Sequence, residues 1–143
     1  GYQAAVLAKL TPHVWSVETL AELAGSAGER LRGLGCRVAV KVGDGRLGWP
    51  EHAPYDAIIV TAAATAVPPA LVAQLVSGGR LVIPVGASAW DQTLWRIERT
   101  AAGLRREFLC DVRFVPLVSP AAAADEADPA LAEIQRELAE LFG

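Results

Sequence analysis

Three short segments of this chain carry residues whose types and spacing could bind a ligand. Glu18 ends an apolar run, and a carboxylate there can accept hydrogen bonds from both hydroxyls of a ribose. Asp44 lies between Gly43 and Gly45, and paired glycines let the backbone turn tightly and approach a flat ring. Residues 61–64 (TAAA) follow another apolar run, and their small side chains leave room for the reactive end of a ligand.

Each segment also has a plainer interpretation. Glu18 could be an acid in the first turn of a helix, where it interacts with the helix dipole. Asp44 could belong to an ordinary Asp-Gly turn. The TAAA segment is weak support when it is taken alone, so the sequence leaves both interpretations open at each position.

Histidine and cysteine offer no second kind of site. Cys36 and Cys110 lie far apart on predicted strands, which favours buried thiols over a disulfide or a metal site. His13 and His52 stand alone in turn-like contexts, so we predict that both lie at the surface. No metal site is predicted.

The elements that must position these segments alternate between short β-branched runs and helices. This order is typical of an α/β fold with a parallel sheet wrapped by helices. Strands are predicted at residues 13–17 (ending at Glu18), 37–42, 57–60 and 80–85. The run 57–60 is apolar throughout, which favours burial on both faces. In open α/β sheets ligands bind beyond the carboxyl ends of strands, where the three segments fall.

Two helices are predicted between these strands. Thr19 and Glu22 match a capping box, and apolar residues then repeat at helical spacing until Gly33 and Gly35. A second helix is predicted to begin at the proline pair 68–69, to run through Leu75 and to end at the glycine pair 78–79.

The last third of the chain changes character. Polar and apolar residues alternate from Gln92 to Val118 around the turn Ala102–Gly103, which predicts an antiparallel hairpin. The chain up to residue 118 therefore forms the predicted domain, residues 119–127 a connector, and residues 128–143 a helix packed on that domain. Asp128 is predicted to cap this helix, whose apolar stripe comprises Leu131, Ile134, Leu138 and Leu141.

Composition excludes several classes of function. The 143 residues are 52% hydrophobic and carry a net charge of −3, unlike the basic surface of a nucleic-acid binder. No apolar stretch is long enough to span a bilayer, and the first residues do not form a signal peptide. We therefore expect a cytoplasmic protein with a small-molecule or peptide substrate, no nucleic-acid or membrane partner, and a monomer as the assumed state.

The order of these segments resembles a known family. The chain is similar to the S-adenosylmethionine-dependent methyltransferases with a Rossmann-like sheet, and among them to the protein-L-isoaspartate O-methyltransferases. The segments that carry this resemblance are GYQAAVLA, VWSVE, VGDG with LGWPEHAPYDAIIVTAAA, VPPALVAQLVSGGRLVIPVG, and RFVPLV. The block from Asp44 to Gly86 is the most diagnostic of them.

The resemblance implies a role for particular residues. Glu18 would hold the ribose of S-adenosylmethionine, with Thr19 beside it, and Asp44 and Gly45 would contact the adenine. Gly1 would end a glycine motif, and Tyr2 and Gln3 would begin the helix beneath it. The isoaspartyl substrate would lie near the TAAA and VPLV segments, largely against their backbones. The substrate residues implied there are Ala62, Ala63, Pro116 and Val118.

The reaction that the resemblance implies is methyl transfer to the free carboxylate of an L-isoaspartyl residue. The resulting ester can cyclise to a succinimide and reopen as aspartate, which repairs the damaged protein. Because a carboxyl group with a pKa near 4 is already ionised at neutral pH, the nucleophile needs no general base. Catalysis would rest on alignment, which can supply about 7–11 kcal/mol.

The chain begins at Gly1 with a helix, whereas the family pattern has a strand, a glycine loop and an active-site serine or threonine before it. We therefore expect no catalytic residue in these 143 residues, and little or no cofactor binding by the chain alone. One alternative is a catalytically silent fragment, or half of a split protein that binds a complementary chain. Another is an aspartate methyltransferase that tailors one dedicated peptide. A nicotinamide-dependent oxidoreductase would also use Glu18, but the GDG and TAAA segments disfavour it.

Overall fold

A computed structural model describes residues 1–88, 90–119 and 129–143. The described chain divides into two compact units. The first comprises Gly1–Gly45 with Val118 and Ser119, and the second comprises Arg46–Leu117 with the C-terminal helix. Both units combine helices with β-strands, so the predicted α/β class is confirmed.

The first unit is built on two parallel strands. Helix α1 spans Tyr2–Leu7, strand β1 Val14–Glu18, helix α2 Ala21–Gly33 and strand β2 Val38–Val42. β1 and β2 pair in parallel so that Glu18 stands opposite Val42. The buried residues of this unit's core are Ala4 from α1, Val14 from β1 and Leu31 from α2. The two strands therefore end at one edge, and Glu18 stands there beside the start of the Gly43–Gly45 turn.

The second unit contains a mixed sheet. Its strands are β3 (Tyr55–Ile59), β4 (Leu75–Ser88), β5 (Asp91–Thr100) and β6 (Gly103–Val112), and its helices are α3 (Pro69–Ala73) and α4 (Pro129–Phe142). Among the described residues the order is β3-β4-β5-β6, with β3 parallel to β4 and the other pairs antiparallel. The predicted hairpin is confirmed, with Thr100 paired to Gly103 across its turn.

The core of the second unit lies where α3 and α4 pack on the sheet. Leu81 and Ile83 of β4 and Ile97 of β5 are fully buried, together with Val72 of α3. Leu138 of α4 joins this cluster at 6% exposure, with Ile134 and Phe142 packed against it.

Helix α4 is also fixed by polar and aromatic contacts to the hairpin. The Glu137 carboxylate accepts a hydrogen bond from the Leu104 backbone N–H at 3.0 Å. The Arg106 guanidinium lies 4.7 Å from the centre of the Trp95 ring and 4.8 Å from that of Phe142. Arginine over aromatic faces is a favourable arrangement, so α4 is anchored by more than its apolar stripe. The predicted Asp128 cap and the connector from residue 120 onward lie outside the described residues.

The predicted capping box does not form. The N-cap residue of α2 is Leu20, without a side-chain cap, and the Thr19 hydroxyl instead donates to the Gly43 carbonyl at 3.1 Å. Glu18 accepts from the Leu20 N–H at 3.0 Å and so satisfies a backbone donor just before the helix. The acid that bonds a backbone N–H just before α2 is thus Glu18, while Glu22 lies in the first turn of the helix.

The second predicted helix is shorter than the sequence suggested. It ends at Ala73, and Leu75 already belongs to β4, which also takes in the glycine pair 78–79. The Arg99 guanidinium donates to the carbonyls of Ala73 and Leu75 at 3.0 and 2.8 Å. A charged donor from β5 therefore takes up carbonyl groups at the end of the helix, where the chain turns into the strand.

Two burial predictions were wrong. Strand β3 is not buried on both faces: Ile58 packs against the core on one face, whereas Ala57 and Ile59 are exposed on the other. Cys110 is exposed and Cys36 half-buried, although both are free as expected. His13 and His52 are exposed as predicted. No helix in the described ranges is long and apolar enough to cross a membrane.

Candidate functional site

The carboxyl ends of β1 and β2 are joined by the residues that the sequence singled out. The Gly43 N–H donates to the Glu18 carbonyl at 3.0 Å, and the Thr19 hydroxyl donates to the Gly43 carbonyl at 3.1 Å. Gly43 is thus held at both its backbone groups by consecutive residues of the other strand end. This fixes Glu18, Thr19 and the turn that carries Asp44 and Gly45 into one cluster, which we call the strand-end cluster.

The Glu18 side chain performs the plainer of the two roles considered for it and keeps further acceptor positions. One carboxylate oxygen accepts the Leu20 N–H, which is the plainer, helix-supporting role. A carboxylate has about four lone-pair positions, so one such bond leaves capacity to accept further hydroxyl donors. The side chain is half-buried at the edge of the unit, where a ligand can reach it.

Asp44 is oriented by a residue that sequence analysis missed. The Ser119 hydroxyl donates to the Asp44 carboxylate at 2.7 Å, across 75 positions of sequence. A hydrogen bond of this length to a charged acceptor is a strong one and restricts the carboxylate's rotation. Ser119 carries no local signal for this role, because a serine after VPLV has no pattern that connects it to a Gly-Asp-Gly turn.

Gly1 and Tyr2 stand at the beginning of α1. A Cβ placed on Gly1 would lie 3.2 Å from the Cβ of Ala27 and 3.5 Å from the side chain of Leu31, so this position packs closely on α2. The Tyr2 side chain is 85% exposed. The structure therefore fixes Gly1 through packing on α2 and leaves the Tyr2 ring at the surface.

The second unit brings together three of the four predicted substrate residues. The Ala63 N–H donates to the Val115 carbonyl at 2.8 Å, and the Leu117 N–H donates to the Ala63 carbonyl at 2.7 Å. These bonds make a parallel bridge between Ala63 and Pro116, with Ala62 next to it in the chain. Ala63 is buried and Val115 is 71% exposed, so residues 115–117 cover Ala63 and form the outer surface at this point. Val118, 55% exposed, lies in the first unit.

A loop of the second unit is held by two buried or half-buried side chains. Gln74 accepts from the Trp49 N–H at 2.9 Å and donates to the Leu47 carbonyl at 2.8 Å. Gly48 between them has φ +63°, which favours glycine, and a Cβ there would collide with the Gln74 amide that holds the loop. The Tyr55 hydroxyl donates to the Trp49 carbonyl at 2.6 Å.

Burial, with a smaller effect from the Glu51 carboxylate, raises the pKa of Tyr55 above its ordinary value of 10.0. Both causes disfavour the phenolate, so Tyr55 stays a hydrogen-bond donor at neutral pH. Among the residues that the structure describes, no group of three or more histidine, cysteine or acidic side chains could hold a metal ion.

A protein-family model matches residues 1–122 of this chain: Protein-L-isoaspartate(D-aspartate) O-methyltransferase. Similar proteins include protein-L-isoaspartate O-methyltransferase 2 of Pelobacter propionicus, 61% identical over 120 residues, and protein-L-isoaspartate O-methyltransferase 1 of Geotalea uraniireducens, 54% identical over 123 residues. These alignments cover 82% and 85% of this chain but 53% and 56% of the relatives. The chain thus spans about half the length of the curated relatives that it matches.

Comparison with solved structures identifies the same family. One protein-L-isoaspartate O-methyltransferase superposes with a TM-score of 0.77 at 30% identity, covering 83% of this chain and 39% of the other. A Plasmodium falciparum protein described as a protein-L-isoaspartate O-methyltransferase, solved in complex with S-adenosyl-L-homocysteine, gives a TM-score of 0.64 at 26% identity. That superposition covers 74% of this chain and 52% of the Plasmodium protein.

Proposed function

We propose that this chain, which belongs to the protein-L-isoaspartate(D-aspartate) O-methyltransferase family, takes part in methyl transfer from S-adenosylmethionine to the free carboxylate of L-isoaspartyl residues. The substrates would be damaged proteins and peptides, and the outcome would be repair. The observation that carries the proposal is the strand-end cluster, in which Glu18 and the Gly43–Gly45 turn are tied together by hydrogen bonds.

The chemistry of this cluster fits S-adenosylmethionine. Glu18 and Asp44 offer carboxylate acceptors for the ribose hydroxyls and the adenine amine, and the glycines on either side of Asp44 allow a flat ring to approach the backbone. In this assignment Glu18 binds the ribose while Asp44 and Gly45 bind the adenine. Thr19 acts on the turn by holding Gly43, and Gly1 and Tyr2 are assigned to the methionine end. When bound, S-adenosylmethionine supplies the activated methyl group.

We assign the peptide to the backbone surface of Ala62, Ala63 and Pro116, with Val118 as a further contact. Small side chains and a proline leave room at this surface for a substrate whose own backbone is irregular at the isoaspartyl link. The substrate carboxylate is ionised at neutral pH and needs no general base. The work of these residues is therefore to bind, orient and exclude water, rather than to move a proton.

A second candidate is a chain that works only when another segment completes its sheet. It is favoured by β3, which has one neighbouring strand in the described ranges and whose Ile59 is 41% exposed. A sheet edge of this kind can accept a further strand. Sequencing the reading frame upstream of the Gly1 codon separates the cases. A frame that encodes a strand and a glycine loop before Gly1 supports a single-chain enzyme. A frame whose start codon lies directly before the Gly1 codon supports a split protein.

The third candidate, a peptide-tailoring aspartate methyltransferase, is separated by substrate range. The test is incubation of the protein encoded by the full reading frame with labelled S-adenosylmethionine and unrelated isoaspartyl peptides. Repair predicts base-labile methyl ester on each of them and none on the matched aspartyl peptides. Ester on a single partner peptide only would favour tailoring. The monomeric state, the cytoplasmic location and the absence of a nucleic-acid partner stay predictions.

A further inference from the structure

Two glutamines are the buried polar side chains of the described chain, Gln74 at 8% exposure and Gln92 at 5%. Each uses its amide to bind one backbone N–H and one backbone carbonyl of an irregular segment. Gln74 does this to residues 47 and 49, as described above. Gln92 does it to Phe114 alone, and Phe114 immediately precedes the segment of residues 115–117.

Gln92 extends the hairpin beyond the end of its ladder. Its backbone pairs with Val112, the last residue of β6. Its side-chain amide then accepts from the Phe114 N–H at 2.6 Å and donates to the Phe114 carbonyl at 3.1 Å. The amide thus does for Phe114 what a neighbouring strand would do, and residues 113–117 leave the sheet along a fixed path.

This contact closes a ring of hydrogen bonds in the second unit. Ala63 binds residues 115 and 117 on one side, while its neighbour Ala64 donates to the Pro84 carbonyl at 3.0 Å and accepts from Gly86 at 3.0 Å. Val85 of β4 in turn pairs with Thr93 of β5, next to Gln92. Every link of the ring is backbone to backbone except the one that the Gln92 side chain makes.

We propose that Gln92 is a positioning residue for the peptide substrate: through Phe114 it holds the backbone of residues 115–117 against Ala63 as a rigid wall. This inference rests on the proposed function, because it takes residues 62–63 and 116 as the peptide surface. Removing the Gln92 amide takes away the hydrogen-bond partner of the Phe114 N–H and carbonyl, so residues 115–117 are no longer held at their N-terminal end.

The test compares Gln92→Met with Gln74→Met. Each variant removes a buried side-chain amide of the second unit that makes two hydrogen bonds, but only Gln92 bonds to Phe114. Hydrogen exchange is measured at the amides of Ala63 and Leu117, which bond across the wall. We expect Gln92→Met to lower their protection about tenfold or more, as the loss of roughly one such anchor implies. Gln74→Met should leave both amides protected. Unchanged protection in Gln92→Met would overturn the proposal.

A kinetic arm uses the protein encoded by the full reading frame. Gln92→Met should raise KM for an isoaspartyl peptide about tenfold, with KM for S-adenosylmethionine within about twofold of the parent. Gln92→Glu, which keeps the acceptor for Phe114 N–H but loses the donor, should fall between. An equal rise of both KM values, or the same peptide effect in Gln74→Met, would contradict a specific positioning role. If the parent protein makes no ester, the proposed function fails, while the exchange experiment still decides whether Gln92 holds the wall.

Discussion

Asp44 is the residue on which the adenine assignment depends. Its carboxylate is already oriented by Ser119, so it offers a fixed acceptor at the strand-end cluster. A hydrogen bond to a charged group contributes about 1.5–3 kcal/mol. We therefore expect Asp44→Ala, in the protein encoded by the full reading frame, to weaken binding of S-adenosylhomocysteine about 10- to 150-fold in titration calorimetry.

Two variants make this result specific. Asp56→Ala removes an equal charge from an exposed position of β3 and should bind as the parent does. Ser119→Ala keeps the Asp44 carboxylate but removes its 2.7 Å partner, so a smaller loss is expected. Parental affinity in a folded Asp44→Ala protein would mean that the adenine lies elsewhere.

Tyr55 provides a pH-dependent term in stability. Its pKa is raised in the folded chain, first by burial and then by Glu51. The folded state therefore holds this proton more tightly, and the stabilisation is fully present below the ordinary tyrosine pKa near 10. It is lost as pH rises through the higher folded value, because the unfolded chain ionises first.

Tyr55→Phe tests this directly. At pH 8 the variant should lose about 0.5–1.5 kcal/mol of unfolding free energy, since the bond to the Trp49 carbonyl is gone. Urea denaturation repeated at rising pH should show the gap between parent and variant narrowing above about pH 10. A gap that stays constant with pH would show that Tyr55 does not titrate differently on folding.

At the scale of elements, helix α4 lies beyond residue 122, where the family match ends, yet it supplies part of the core. Leu138 is 6% exposed against α3 and the sheet. Leu138→Ala should cost about 2–5 kcal/mol of unfolding free energy, measured by urea denaturation with circular dichroism. Gln135→Ala on the exposed side of the same helix should stay within about 0.5 kcal/mol. Equal small effects from both variants would contradict a structural role for α4.

Local patterns predicted the elements best where the cause of the structure was local. The alternation from Gln92 onward identified β5 and β6, and the Ala102–Gly103 turn fell at their junction. The α2 capping box failed because Thr19 found a partner in Gly43, 24 positions away. Helix α3 ended early where the Arg99 guanidinium takes the Ala73 carbonyl, 26 positions away. Contacts of that range leave no trace in the spacing of neighbouring residues.

The same division holds for the candidate site. Glu18 and Asp44 could be found from the sequence because each ends or follows a strand, and the ends of parallel strands share an edge. Ser119 and Gln92 could not, since their partners lie 75 and 22 positions away and depend on the folded path of the chain. Ser119 bonds the predicted residue Asp44 itself, whereas Gln92 bonds Phe114, which precedes the predicted residue Pro116.

In the whole molecule, the first unit carries the strand-end cluster, which we assign to S-adenosylmethionine, and the second unit carries residues 115–117, which we assign to the peptide. We propose that the protein encoded by the full reading frame methylates isoaspartyl carboxylates. The direct test is to incubate the protein encoded by the full reading frame with labelled S-adenosylmethionine and an isoaspartyl peptide. The 143-residue chain is assayed in parallel. We expect base-labile methyl ester from the full-frame protein on the isoaspartyl peptide and none on its aspartyl counterpart. The absence of ester from a folded protein that binds S-adenosylhomocysteine would contradict it.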